Sequence, residues 1–159
     1  MIQGDAITYR LATDADGPAI GKLFRAADYQ DHGVDWERAA VGSWWIVAER
    51  EGEMRGAILV TASKPFGFIG EVVVHPDERG KRADQVGSLA KRPGAIGYRL
   101  YMQALMWLQD AGVEIVMGII HEELTGLQKI MRHYGATEIG KDYRLYGMRL
   151  TTVSTEATG

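Results

Sequence analysis

The chain has 159 residues, the length of one ordinary domain. Hydrophobic residues make up 46% and charged residues 25%, a balance that excludes a disordered tail or a fibre and implies a packed core. The formal net charge of −3 gives no overall attraction to nucleic acid, and the lack of cysteine excludes a disulfide framework, a thiol nucleophile and thiolate metal ligation.

No apolar run approaches the ~18 residues of a membrane-spanning helix, and the first residues lack the basic-then-apolar character of a signal segment. The expectation is a cytoplasmic protein with no membrane partner. Glycine is in excess, with 20 residues, which points to tight turns and close backbone approaches.

In chain order, Ile7 to Leu11 reads as a short strand. Thr13 then caps a helix, with Asp16 as its capping-box acid and Pro18 in the first turn. Ile20, Leu23, Phe24 and Ala27 share one face of that helix. A polar stretch containing Tyr29, Asp31 and His32 follows, and Asp35 caps a short second helix running to Val41. Trp44 to Glu49 and Met54 to Ala62 alternate as strands joined through Glu51-Gly52-Glu53. Of the adjacent Trp44 and Trp45, one ring belongs to the core and the other to the surface. After a Lys64-Pro65-Phe66-Gly67 turn, Phe68 to His75 forms a third strand, stopped by Pro76.

Residues 76–93 read as loop. Helical spacing returns from Gly97 to Ala111 and ends at Gly112. Val113 to Ile120 is a nearly unbroken apolar run, the pattern of a strand buried on both faces. Leu124, Leu127, Ile130, Met131 and Tyr134 mark a last amphipathic helix closed by Gly135. Ala136 to Gly140 and Tyr143 to Leu150 make a final hairpin. The fold class is therefore mixed α/β, with one central mixed sheet of about six or seven strands and about four helices. One domain spans 1–150, and 151–159 is a Thr/Ser/Ala-rich tail.

The chemistry concentrates between the third strand and the long helix. From Arg79 to Arg99 there are six basic residues (Arg79, Lys81, Arg82, Lys91, Arg92, Arg99) against one acid, Asp84. Small residues leading into a helix let backbone N–H groups converge on an anion, and the helix N-terminus adds partial positive charge. A phosphate-bearing ligand fits that composition, as does a solvated surface loop.

The string Val72-Val-Val-His-Pro-Asp-Glu-Arg-Gly-Lys81, followed by Arg92-x-x-Ala95-x-Gly97 opening a helix and by Tyr134-Gly135-Ala136 after the last one, resembles the GNAT acetyltransferase superfamily. The resemblance runs from Ile7 to Leu150. It implies acetyl-CoA as cofactor and N-acetyl transfer to a primary amine. It further implies that Val72, Val73 and Val74 pair through their backbone with the pantetheine arm. The pyrophosphate would rest on Gly94, Ala95, Ile96 and Gly97, with Arg79, Gly80, Lys81 or Arg92 near the phosphates. Residues 82–94 are an insertion relative to the usual pattern, so either Arg79-Gly80-Lys81 or Arg92 to Gly97 is the phosphate loop, and Arg92 to Gly97 is favoured because its amides open a helix.

Many members place a general-acid tyrosine where this chain has Met131, whose place on the apolar stripe assigns it to the core. Glu71 is the candidate base. Strict alternation puts it on the face of Ile69 and Val73, although a bulge would redirect it. Tyr134 is the candidate acid, set against a packing role. His75 is a loop cap or a titrating group, and His121 and His133 lack carboxylates at metal-ligand spacing. Asp28, Asp31, Asp35 and Glu37 suit a small-molecule or peptide amine acceptor of positive charge. Two other readings compete: a catalytically degenerate interaction protein of the same fold, and a nucleic-acid-modifying protein using Arg82 to Arg99 on phosphates. The final hairpin offers an edge for a homodimer.

Overall fold

The computed structural model describes residues 7–27, 42–79, 96–120, 125–138 and 144–149. The elements are β1 (Thr8–Leu11), a 3-10 turn (Asp14–Asp16), α1 (Gly17–Ala26), β2 (Ser43–Arg50), β3 (Glu53–Ser63) and β4 (Phe66–Val74), then α2 (Pro76–Arg79), α3 (Ile96–Asp110), β5 (Ile115–Ile120), α4 (Thr125–His133), β6 (Thr137–Glu138) and β7 (Arg144–Arg149). The helix expected over 35–41, the insertion 82–94 and the tail 151–159 lie outside the described residues.

The strands form one seven-stranded sheet in the order β1-β2-β3-β4-β5-β7-β6. All neighbours are antiparallel except β4 and β5, which run parallel as the intervening α3 requires. The β2–β3 hairpin closes through Glu51 and Gly52 alone, both at positive φ (53° and 78°), so Glu53 is already in the strand. The β3–β4 hairpin turns on Lys64-Pro65, and Phe66 and Gly67 belong to β4 rather than to the turn.

Both faces are covered, by different helices. Beneath α3 lie Ile46, Ala48, Ile58, Val60 and Ile69, packed against Ile96, Leu100, Ala104, Leu105 and Leu108. Met131 and Ala136 bring the α4 end of the chain into that cluster. Seating α3 so close needs glycine below it. A Cβ at Gly56 would come within 2.8 Å of Ile96 and Leu100, and one at Gly67 within 2.8 Å of Val113 and 2.9 Å of Leu108. On the opposite face, Ile20, Leu23, Phe24 and Ala27 of α1 cover Trp45, Val47, Ala57 and Val73, with Phe24 edge-on to Trp45 at 5.7 Å.

The start of α1 is pinned to the sheet. The Thr13 N–H donates to the Asp16 carboxylate at 2.7 Å, completing the expected capping box. Arg10 forks between Asp16 (2.7 and 2.8 Å) and Glu49 (2.6 and 3.1 Å), tying β1 and β2 to the helix entry.

Two expectations are corrected. Pro76 to Arg79, read as loop, forms the short helix α2: Pro76 presets its first φ, and Asp77 and Glu78 favour its first turn. β5, read as buried on both faces, instead alternates, with Val116 and Gly118 buried and Ile115 and Met117 half-buried. The reason is lateral: α1 packs over β2, β3 and β4, and no described residue of it joins a cluster with β5.

Candidate functional site: the opening between β4 and β5

β4 and β5 pair only from Phe66↔Ile115 to Ile69↔Gly118. Beyond that point β5 continues alongside β7 through Ile120↔Arg144, while β4 continues alongside β3 through Val74↔Gly56. The two strands part. Residues 70–74 therefore keep one paired edge and one edge with no strand partner among the described residues. An open edge inside a sheet exposes backbone donors and acceptors, the surface to which an extended chain can add as a further strand.

A bulge coincides with the parting. Ile58 faces Val72 but Val60 faces Ile69, so Leu59 is opposed by both Gly70 and Glu71. A Cβ on Gly70 would point at the Leu59 side chain. The extra residue flips the alternation: Ile69 belongs to the core under α3, whereas Val73 belongs to the core under α1. The bulge that left the direction of Glu71 open is therefore present, and Ile69 and Val73 do not share a face. Counted back from Val73, Glu71 lies on the α1 face. It is exposed and has no ion-pair partner among the described residues.

Val72 and Val74 are half-buried and pack toward α3, while Val73 is fully buried on the other side. Their backbone, rather than their side chains, is what the opening presents. α3 starts at the free end of β4, where the Cβ position of Gly97 lies 3.5 Å from Val74 Cγ2. Ile96, expected in the phosphate loop, has its side chain sealed in the core, so only its backbone remains for a ligand. Arg79 ends α2; Gly80, Lys81, Arg92, Gly94 and Ala95 lie outside the described residues.

His75 is a cap. Its Nδ1 accepts from the Asp77 N–H at 3.3 Å, its carbonyl accepts from the Glu78 N–H at 2.9 Å, and its own N–H donates to the Arg55 carbonyl at 2.9 Å. Glu78 in turn binds Arg50 at 2.6 Å, anchoring α2 to the end of β2. Next to this pair the Tyr9 hydroxyl is buried without a hydrogen-bond partner among the described residues, and burial raises its pKa while Arg99 and Arg50 oppose the rise. The sequence shows these arginines as scattered charges. Only the β1–β2–β3 register and α2 bring Arg50 into one place with Tyr9 and Glu78.

Tyr134 stands in the turn after α4. Its ring stacks on Tyr98 of α3 with centroids 6.4 Å apart, and the two hydroxyls are hydrogen-bonded. Burial, then the bond to Tyr98, pushes the Tyr134 hydroxyl up to about 12, so it is a protonated donor at neutral pH. One turn away, Met131 is buried and its sulfur accepts from the Tyr101 hydroxyl, which bears out its reading as core. Trp45 is buried under α1 and Trp44 is exposed, leaning on Trp107 at 4.7 Å, as the paired reading expects. No group of three metal-ligating side chains occurs among the described residues, and no described helix is long and apolar enough to cross a membrane.

No protein-family model and no curated protein matches the sequence. Solved structures do match the fold. A GNAT-family acetyltransferase from Staphylococcus aureus Mu50 superposes with a TM-score of 0.70 at 14% identity, over 91% of this chain and 99% of that one. The ribosomal-protein-S18-alanine N-acetyltransferase from Escherichia coli gives 0.68 at 14% identity, over 95% and 98%. The PaiA N-acetyltransferase from Thermoplasma acidophilum, solved in complex with coenzyme A, gives 0.67 at 10% identity, over 91% and 99%. This chain therefore has the fold of the GNAT-family acetyltransferases.

Proposed function

We propose that the protein is an N-acetyltransferase that moves an acetyl group from acetyl-CoA to a primary amine by direct attack. The observation that carries this reading is the edge of residues 70–74, beside the start of α3, that has no strand partner among the described residues. A pantetheine arm is a chain of amides that suits such an edge, and the amides at a helix start suit a pyrophosphate. Bound acetyl-CoA supplies a thioester, an acyl group already activated toward an amine. The backbone of Val72 to Val74 holds the arm, and the first turn of α3 at Ile96 and Gly97 holds the phosphates, with Arg79, Gly80, Lys81 or Arg92, Gly94 and Ala95 completing the loop. Glu71 accepts the amine proton, directly or through one water, and Tyr134 donates to the leaving sulfur. Most of the rate then comes from positioning, with acid–base help of about 10²–10⁴-fold. The acidic residues Asp28, Asp31, Asp35 and Glu37 favour a cationic acceptor.

Calorimetric titration with acetyl-CoA tests the reading. Wild-type protein is expected to bind at roughly micromolar Kd, and Arg92→Ala or Arg79→Ala, whichever lies in the phosphate loop, to weaken binding about tenfold. No binding at millimolar ligand would sink the proposal. Met131 at the position of the usual acid favours one other reading, an interaction protein that keeps the fold without the chemistry. That reading expects no thiol release with any amine.

A further inference from the structure

Two hydroxyl contacts link α3 to α4. Tyr98 and Tyr101 stand one turn apart on α3 and meet, respectively, Tyr134 and Met131, one turn apart at the end of α4. The two contacts differ in surroundings. Tyr101 is sealed in the core with Met131, a weak sulfur acceptor. Tyr98 and Tyr134 are half-buried, so this pair, unlike the inner one, is not sealed in the core. Tyr98 follows Gly97 in the first turn of α3, against the free end of β4, and Tyr134 closes the helix that follows β5. The outer contact therefore runs from the element beside one lip of the opening to the element that follows the other.

A phenol hydroxyl is one donor and an acceptor. In a hydroxyl pair one O–H is used by the partner and the other is left over. Stacked rings fix the relative position of the two oxygens, so which hydroxyl faces outward depends on which one donates. We propose that Tyr98 is a positioning residue: by donating to the Tyr134 oxygen it leaves the Tyr134 O–H free to donate into the β4–β5 opening, toward the sulfur of coenzyme A. This rests on the acetyltransferase reading. The pair supplies hydrogen bonds only. As the amine nitrogen bonds to the acetyl carbon and the C–S bond breaks, the C–S electron pair stays on sulfur and the Tyr134 O–H donates to that thiolate, while the amine proton leaves through Glu71. Burial raises the Tyr134 pKa, so this hydroxyl carries its proton at neutral pH.

The test is calorimetric titration of the full chain with coenzyme A and with desulfo-coenzyme A, in which hydrogen replaces the thiol, at pH 9. Wild-type protein is expected to bind coenzyme A about tenfold tighter than the desulfo compound, the scale of one hydrogen bond to a charged acceptor. Tyr134→Phe is expected to erase that preference. Tyr98→Phe keeps the ring stack and is expected to reduce it to about threefold or less, with affinity for the desulfo compound unchanged. Full preference in Tyr98→Phe alongside its loss in Tyr134→Phe overturns the role of Tyr98 and leaves the acetyltransferase reading standing. Equal weakening of both ligands by Tyr98→Phe marks a packing role and overturns the inference as well. Wild-type protein that binds neither compound at millimolar concentration overturns the underlying reading and the inference with it.

Discussion

The β2–β3 hairpin and the β4–β5 pair are neighbours in one sheet, built by opposite rules. From Ser43 to Ala48 each residue of β2 has a partner on β3, and the side chains alternate between the α1 and α3 cores. Burial on both faces fixes that register, since a slip of one residue would exchange the two faces. Between β4 and β5 pairing stops after four positions, and β4 continues alongside β3 with a bulge at Gly70 and Glu71. One pair is held by everything around it. The other leaves backbone polar groups without a strand partner among the described residues, a cost that a purely structural sheet avoids by closing up. The comparison separates what holds the fold from what is available to a ligand.

Substitutions on the two sides of that divide should separate activity from stability. Glu71→Gln removes an exposed carboxylate from the bulge. It is expected to lower acetyl transfer about 10²–10⁴-fold, measured as thiol release with an amine the wild type accepts, while the melting temperature stays put. A melting temperature that falls with activity would place Glu71 on the structural side. Ile58→Ala does the reverse. Ile58 is fully buried beside the bulge, and chemical denaturation is expected to show a loss of about 2–5 kcal/mol. Gly56→Ala lies between the two. The new methyl would press on Ile96 and Leu100 at 2.8 Å and on the Val73 carbonyl at 3.3 Å, at a cost of about 1–3 kcal/mol. Because it lifts the first turn of α3 at the mouth of the opening, it should also weaken coenzyme A binding, which Ile58→Ala should not do beyond its effect on the folded fraction.

The same divide governs what could be read from the sequence. Strands held by two-sided burial announce themselves: Trp45, Val47 and Ala57 fall on the α1 side, and Ile46, Ala48 and Ile58 on the α3 side, as alternation requires. Met131 was legible for the same reason, since its apolar stripe has one available direction. A bulge near Glu71 was a possibility the sequence left open, but its place was not legible, because Gly70-Glu71 continues an acceptable alternation and only pairing with Leu59 reveals the extra residue. α2 is one turn long and carries no period. The Tyr98–Tyr134 pair joins residues 36 apart that no local pattern connects. What positions the candidate site is therefore long-range register, whereas what builds the sheet is local periodicity.

The smallest expected effect lies on the closed side, at the entry of α1, and pH brings it out. Asp16 both caps the turn through the Thr13 N–H and receives the Arg10 fork. The Arg10 hydrogen bonds hold its carboxyl well below the usual carboxylate range, with the Thr13 contacts adding to them. A folded-state pKa below the unfolded one means that the unfolded chain binds the proton more readily. The associated stability is therefore present above the unfolded value near 4 and is lost as pH falls through the folded value. Arg10 is partly exposed, so water screens the pair and its contribution is about 1 kcal/mol. Asp16→Asn keeps an acceptor for the Thr13 N–H but not the charge. Denaturant midpoints for the variant should fall less than those of the wild type between pH 5 and 2, and the two should converge at the acid end. Parallel curves would show that the fork around Asp16 is geometry without charge, and that the closed side of the sheet is held by burial alone.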